Sequence, residues 1–190
     1  MNEHLSYLWI VKGKMKTNYI LLAACCWIAG CANEPPPVTT HYETISGLRT
    51  DLMSENVLPA EGQPREVVWL NASRIFRNYR GDADYYLEVN YMAKEDVGYL
   101  EIPPGETLTL VVDGETLKFT GNGSMNRRKG YKKEFVREDA LYPVEPHHLQ
   151  KIASARQAKV VIKGDKGQVE REFAPENFER FRAFVNRFAM

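Results

Sequence analysis

The sequence predicts an α+β domain: mainly an antiparallel sheet or β-sandwich of about 7–8 strands, with a short helix near 147–156 and a C-terminal helix near 175–188. Three observations predict it. Tyr85, Leu87, Val89 and Tyr91 alternate with Tyr86, Glu88, Asn90 and Met92, the period-two pattern of a half-buried antiparallel strand. Asp113-Gly114 and Gly164-Asp165-Lys166-Gly167 each separate two apolar runs, as hairpin turns do. Helical periodicity is confined to two segments, and a proline stands near the start of each.

From the amino terminus, the first element is an export signal. Residues Tyr19 to Ala29 form an apolar run preceded by Lys12, Lys14 and Lys16, with no acidic residue between Glu3 and Glu34. A basic start, a short apolar stretch and small residues at its end make a secretory signal. The run is too short to span a bilayer, which takes about 20 apolar residues. Met15-Lys16-Thr17-Asn18 would open a compact signal by itself, so translation is expected to start at Met15.

The signal ends in Ile28-Ala29-Gly30-Cys31, and there the chain resembles bacterial lipoprotein precursors, whose lipobox reads aliphatic, small, small, Cys. The resemblance implies signal cleavage between Gly30 and Cys31 and a diacylglycerol in thioether linkage on Cys31. An amide-linked fatty acid such as palmitate on the new amino terminus follows in Gram-negative bacteria. It also implies contact with the lipoprotein processing and sorting machinery. Two or three acyl chains hold stably, at about 0.8 kcal/mol per buried methylene. Ala32 and Asn33 follow the cysteine; the absence of Asp there favours the outer membrane, the domain facing the periplasm, with the inner membrane and the cell surface left open. The expected organisation is a signal peptide over 1–30, a lipidated Cys and Pro-rich tether over 31–41, and one periplasmic α+β domain over 42–190.

Removing residues 1–30 takes three Lys and one Glu from totals of 25 basic and 25 acidic residues, leaving a net charge near −2. Cys25 and Cys26 leave with the signal and Cys31 carries lipid, so neither a disulfide nor thiol catalysis is available to the domain. Neutral charge excludes a nucleic-acid protein that relies on bulk basicity. Pro35-Pro36-Pro37 makes the tether extended, at about 3.1 Å per residue.

Within the domain, Glu66 to Arg77 places Val68, Leu70, Ala72 and Phe76 on one face of a strand that the turn-rich Asn78–Asp84 joins to Tyr85–Tyr91. Val97 to Ile102, a Pro103-Pro104-Gly105 turn and a strand over Thr107–Val112 follow. Asp113-Gly114 then leads into Leu117 and Phe119. Ala158 to Phe173 forms a second hairpin that echoes the first, a weak sign of an internal repeat. Leu149, Ile152 and Ala153 share a face of the first helix. Phe178, Phe181, Phe184, Val185 and Phe188 form the apolar stripe of the second, with Arg180, Arg182 and Arg187 mostly away from it.

Catalytic signatures are sparse. There is no G-x-S-x-G elbow, and Gly121-Asn122-Gly123-Ser124 lacks the Lys-Ser/Thr of a phosphate loop, so it reads as a flexible loop. His147 and His148 are adjacent, not the i, i+4 pair of a zinc helix, and Glu145 beside them reads as part of a solvated helix start. Asp82 and Asp84 read as a polar turn. No metal, cofactor or catalytic residue is therefore assigned. The distinctive surface feature is Arg127, Arg128, Lys129, Lys132 and Lys133, flanking Gly130-Tyr131. They suit an anionic envelope component; the simpler expectation is a solvated loop balanced by Glu134, Glu138 and Asp139. The sequence thus favours a structural or binding module of the envelope that docks another envelope protein or an anionic component, with no nucleic-acid partner. A glycan- or lipid-directed hydrolase is the first alternative. The second is a carrier with an apolar cavity lined by Tyr85, Leu87, Val89 and Tyr91.

Overall fold

A computed structural model describes residues 38–43, 47–62, 65–77, 82–130 and 132–188. The signal, Gly30 and Cys31 lie outside these residues. Among the described residues there are eleven strands and two helices. In order they are β1 (Val38–Glu43), β2 (Leu48–Met53), β3 (Val57–Leu58), β4 (Glu66–Arg77), β5 (Ala83–Lys94), β6 (Pro104–Val112), β7 (Glu115–Asn122), β8 (Ser124–Arg128), β9 (Phe135–Val144), α1 (Pro146–Ser154), β10 (Ala158–Gly164), β11 (Gly167–Glu172) and α2 (Pro175–Phe188). The α+β class holds, with a sheet richer in strands than the period-two pattern alone indicated. β1 begins at Val38, four residues inside the stretch assigned to the tether, and Val38 is buried against the core.

The strands form two antiparallel sheets. The larger has the order β1-β2-β4-β5-β9-β8, and β3 pairs with the first half of β4 while β2 pairs with its second half. The smaller has the order β11-β10-β6-β7. The two hairpins with similar sequences therefore lie side by side, Val160 opposite Leu110. β4 and β5 pair over almost their whole length, Glu66 opposite Ala93 and Phe76 opposite Ala83, as their alternation dictates.

The inward face of the large sheet supplies Val68, Leu70, Ala72, Leu87, Val89, Tyr91, Val136, Ala140 and Tyr142. They join one core with Leu108, Leu110, Val160 and Ile162 of the small sheet, and with Leu149, Ile152, Phe178, Phe181 and Phe184 of the helices. Phe181 and Phe184 are fully buried; each contributes about 1.5–3 kcal/mol relative to exposure. Burial, with the Glu66 and Glu138 carboxylates nearby, pushes the Tyr91 hydroxyl up to about 12.

Two sequence expectations are corrected here. Gly121-Asn122-Gly123-Ser124 is not a flexible loop: β7 runs into β8 through Gly123 (φ +83°), so one nearly continuous strand leaves the small sheet and enters the large one. The crossing is tight, since a Cβ on Gly123 would lie 2.9 Å from the backbone nitrogen of Pro104. Pro103-Pro104-Gly105 is not a free turn either. Pro104 is already the first residue of β6, opposite Asn122, a position where a missing N–H is tolerated. The chain before it, through Leu100 and Ile102, is an irregular connection whose backbone is held by a side chain.

That side chain is Glu138. Its carboxylate accepts the backbone N–H groups of Leu100 (2.9 Å), Glu101 (3.0 Å) and Ile102 (2.7 Å), and its residue is fully buried on β9. Three consecutive N–H groups converge on one anion because Glu101 adopts φ +54°. A buried charge is tolerated where donors satisfy it this fully.

Candidate functional site

The side of the large sheet turned away from the core is the most unusual surface of the domain. Strand alternation brings Val67, Trp69, Asn71, Ser73 and Ile75 of β4 to this face, beside Tyr86, Glu88, Asn90 and Met92 of β5 and Arg137, Asp139 and Leu141 of β9. Its apolar members are partly exposed and stand outside the hydrophobic core cluster. Trp69 is the single tryptophan after Cys31.

A line of polar groups crosses this face. Arg137 Nε donates to Asp139 Oδ1 (2.9 Å), which also accepts from Asn90 Nδ2 (2.8 Å); Asn90 Oδ1 in turn accepts from Asn71 Nδ2 (2.9 Å). The line then passes through the sheet. The Asn56 backbone N–H donates to Asn71 Oδ1 (3.1 Å), and Asn56 Oδ1 accepts from Asn177 Nδ2 (2.8 Å) at the start of α2. Asn177 closes its own end by accepting the Ala174 N–H (2.8 Å), the reaching-back half of a capping box. Asn56 can plug the sheet because β2 and β3 are interrupted there by Glu55, at φ +58°.

Glu88 lies beside this line. Burial pushes its carboxyl above the ordinary glutamate value and Asp139 adds to that, while the Ser73 hydroxyl and Arg137 oppose it. Glu88 pairs opposite Leu141, so Asp139 is its diagonal neighbour, at roughly 7–8 Å between backbones. The face thus combines aromatic, apolar, amide and carboxylate groups on one rigid platform. Sequence alternation contained these residues but read them as the solvent side of a strand. The signal that finds them is the density of Trp69, Tyr86, Met92 and Leu141 at outward positions.

The structure also places the other residues singled out from sequence. Leu87, Val89 and Tyr91 are buried in the core; Tyr85 is partly buried against it and donates its hydroxyl to the Phe188 carbonyl. A surface cleft of about 400 Å³ borders the core next to Tyr85, between Asp84, Tyr86, Phe119 and His148. The rings of His147 and His148 lie 3.9 Å apart, and His148 also meets Phe119 edge-on. Burial and then His147 push the His148 pKa down, Glu145 opposing, and His148 Nδ1 is buried without a hydrogen-bond partner. Among the described residues, no three His, Cys, Asp or Glu side chains are grouped to hold a metal ion.

Arg127 and Arg128 end β8, and Lys129, Lys132 and Lys133 follow in the turn to β9; all five are exposed. Of the three acids expected to balance them, Glu134 stands exposed in the turn itself and the other two are engaged elsewhere. Glu138 is turned inward onto the backbone of residues 100–102, and Asp139 is bound by Arg137 and Asn90. Acidic neighbours close in sequence are committed to different partners because alternate residues of β9 face opposite sides of the sheet.

Set against known proteins, the chain matches no protein-family model, no curated protein and no solved structure. The functional reading therefore rests on the residues themselves. No helix among the described residues is long and apolar enough to cross a membrane.

Proposed function

We propose that the chain is a bacterial lipoprotein, anchored in the outer membrane through Cys31, whose periplasmic domain docks another envelope component on the outer face of its large sheet. The location rests on the apolar run ending in Ile28-Ala29-Gly30-Cys31. The observation that carries the docking role is the outer face itself: Trp69, Tyr86, Met92 and Leu141 stand outside the core around a fixed polar line. Aromatic and Met side chains on a preorganised surface, with polar groups already oriented, are what recognition surfaces are built from.

The test has two arms. Palmitate labelling of cells expressing the full chain is expected to tag the protein, and Cys31→Ser to abolish the label; labelling that survives the substitution removes the anchor. Cross-linking from positions 69 and 86 in intact cells is expected to capture a discrete envelope partner, while the same cross-linker at exposed Lys166 captures none. Equal capture from both faces removes the docking surface.

A second reading, an envelope-directed hydrolase, draws on Glu88 and Asp139, two carboxylates on neighbouring strands of which one has a raised pKa. Asp139 is already bound by Arg137 and Asn90, which supports docking over hydrolysis.

A further inference from the structure

We propose that the turn from β8 to β9 is a membrane-contact tip, in which Arg127, Arg128, Lys129, Lys132 and Lys133 bind the phosphate headgroups of an anionic phospholipid surface. The inference rests on the lipoprotein reading for the presence of a nearby bilayer, and on the geometry of the turn for its chemistry.

Two observations carry it. First, the five cations are exposed on one turn, and none of them is paired with a carboxylate among the described residues. The turn is joined to the neighbouring β5 end by a hydrogen bond from the Glu95 N–H to the Glu134 carbonyl (2.8 Å). Counting Arg65 and Lys94 there against Glu95, Asp96 and Glu134, the tip holds seven basic and three acidic residues, a net of +4. One of those acids, Asp96, is already paired with Arg65.

Second, the same tip exposes an apolar side chain. Val97, in the turn that closes on Lys94, is 40% exposed. Cations and an exposed apolar group on one tip suit the boundary between headgroups and acyl chains. A solvated polar loop has no need of the valine.

The domain can be tested apart from its anchor, because the hydrophobic core is built from residues between Val38 and Phe188. Residues 32–190 are mixed with vesicles of 30% phosphatidylglycerol in phosphatidylcholine, with phosphatidylcholine vesicles alone, and with either at 0.1 and 1 M NaCl. Binding is expected only to the anionic vesicles and only at low salt, where the screening length is about 10 Å rather than 3 Å. Each cation near such a surface is worth on the order of fivefold in partitioning, so replacing all five by Ser is expected to weaken binding at least tenfold. A control replacing Lys159, Lys163 and Lys166 by Ser should bind within twofold of the parent. Trp69 fluorescence and near-ultraviolet dichroism establish that both variants are folded. Equal binding by the five-Ser variant, equal binding to neutral vesicles, or no binding by the parent each overturns the proposal. Because this protein carries no lipid, vesicle binding together with a failed palmitate label would remove the lipoprotein reading and leave the tip standing.

Discussion

Glu138 Oε1 accepts the backbone N–H of Ile102 at 2.7 Å, joining β9 to the irregular connection before β6 across 36 positions of sequence. The same carboxylate holds Leu100 and Glu101, so it replaces the ladder that those residues would have had in a strand. Removing it orphans two buried donors and one partly buried donor, the buried ones worth about 1–3 kcal/mol each. Glu138→Ala is expected to cost at least about 3 kcal/mol. Glu138→Gln should cost less, because its amide oxygen still accepts. Urea denaturation of both variants checks the order; a loss under 1 kcal/mol for the alanine variant would sink the claim.

Asn177 and Asn56 bind at 2.8 Å and bring the first turn of α2 onto the interruption between β2 and β3. Asn177 Nδ2 also donates to the Val57 carbonyl (2.8 Å). Residues in one hydrogen-bond network couple by about 0.5–3 kcal/mol in a double-mutant cycle. Asn177→Ala with Asn56→Ala is expected to fall in that range, and strict additivity would mean that the amides are neighbours without being partners.

Asp51 and Glu88 give acid dependences of opposite sign. Burial opposes the ionisation of Asp51, but the Thr40 hydroxyl (2.7 Å) and the Arg74 and Arg49 guanidiniums outweigh it and hold its carboxyl below the ordinary value. A depressed folded pKa contributes stability that is complete above the unfolded pKa, near 4, and is lost as the pH falls through the folded value. Glu88, with a raised folded pKa, does the reverse: its contribution declines as the pH rises from the unfolded value through the folded one. Asp51→Asn should therefore lower stability at pH 7, by about 3–5 kcal/mol for a broken buried pair, and flatten the loss below pH 4. Glu88→Gln should raise stability at pH 7 and change little at pH 3. Denaturation series from pH 3 to 8 on the two variants are the measurement; a shared sign refutes the assignment.

How far the fold could be read from sequence depended on where the charges lay. β4, β5 and α2 were legible because their apolar positions keep one period, broken only at Arg74 of β4. α2 indeed begins at Pro175 and ends at Phe188 as its Phe stripe indicates. β9 was not, because Glu138 occupies an inward position between Val136 and Ala140 and breaks the alternation; its compensation lies in a loop distant in sequence. β1 and β2 were hidden for the same reason, since Thr40 and Asp51 pair across them where apolar residues would be expected. On the candidate site, individual outward residues were legible, but their assembly required the register of β9 against the β4–β5 hairpin, from which it is distant in sequence.

Gly121 and Gly123 carry the strand from one sheet to the other, and each is confined by a different neighbour. A Cβ on Gly121 would lie 2.8 Å from the Leu141 carbonyl oxygen and 2.9 Å from the Tyr142 ring, so β7 can approach β9 only with a hydrogen there. On Gly123 the obstruction is backbone, Pro104 N at 2.9 Å and Ile102 O at 3.1 Å, and its φ of +83° adds strain for any L side chain. Backbone cannot swing aside as a side-chain end can, and a non-Gly residue held in the left-handed region costs about 1–3 kcal/mol in itself. Gly123→Ala is accordingly expected to destabilise by more than 2 kcal/mol. The adjacent Asn122→Ala, at an exposed position of the same crossing, should stay within about 0.5 kcal/mol. Thermal unfolding of the two variants side by side tests the crossing: equal and small shifts would mean that the segment is the pliable loop its composition suggests.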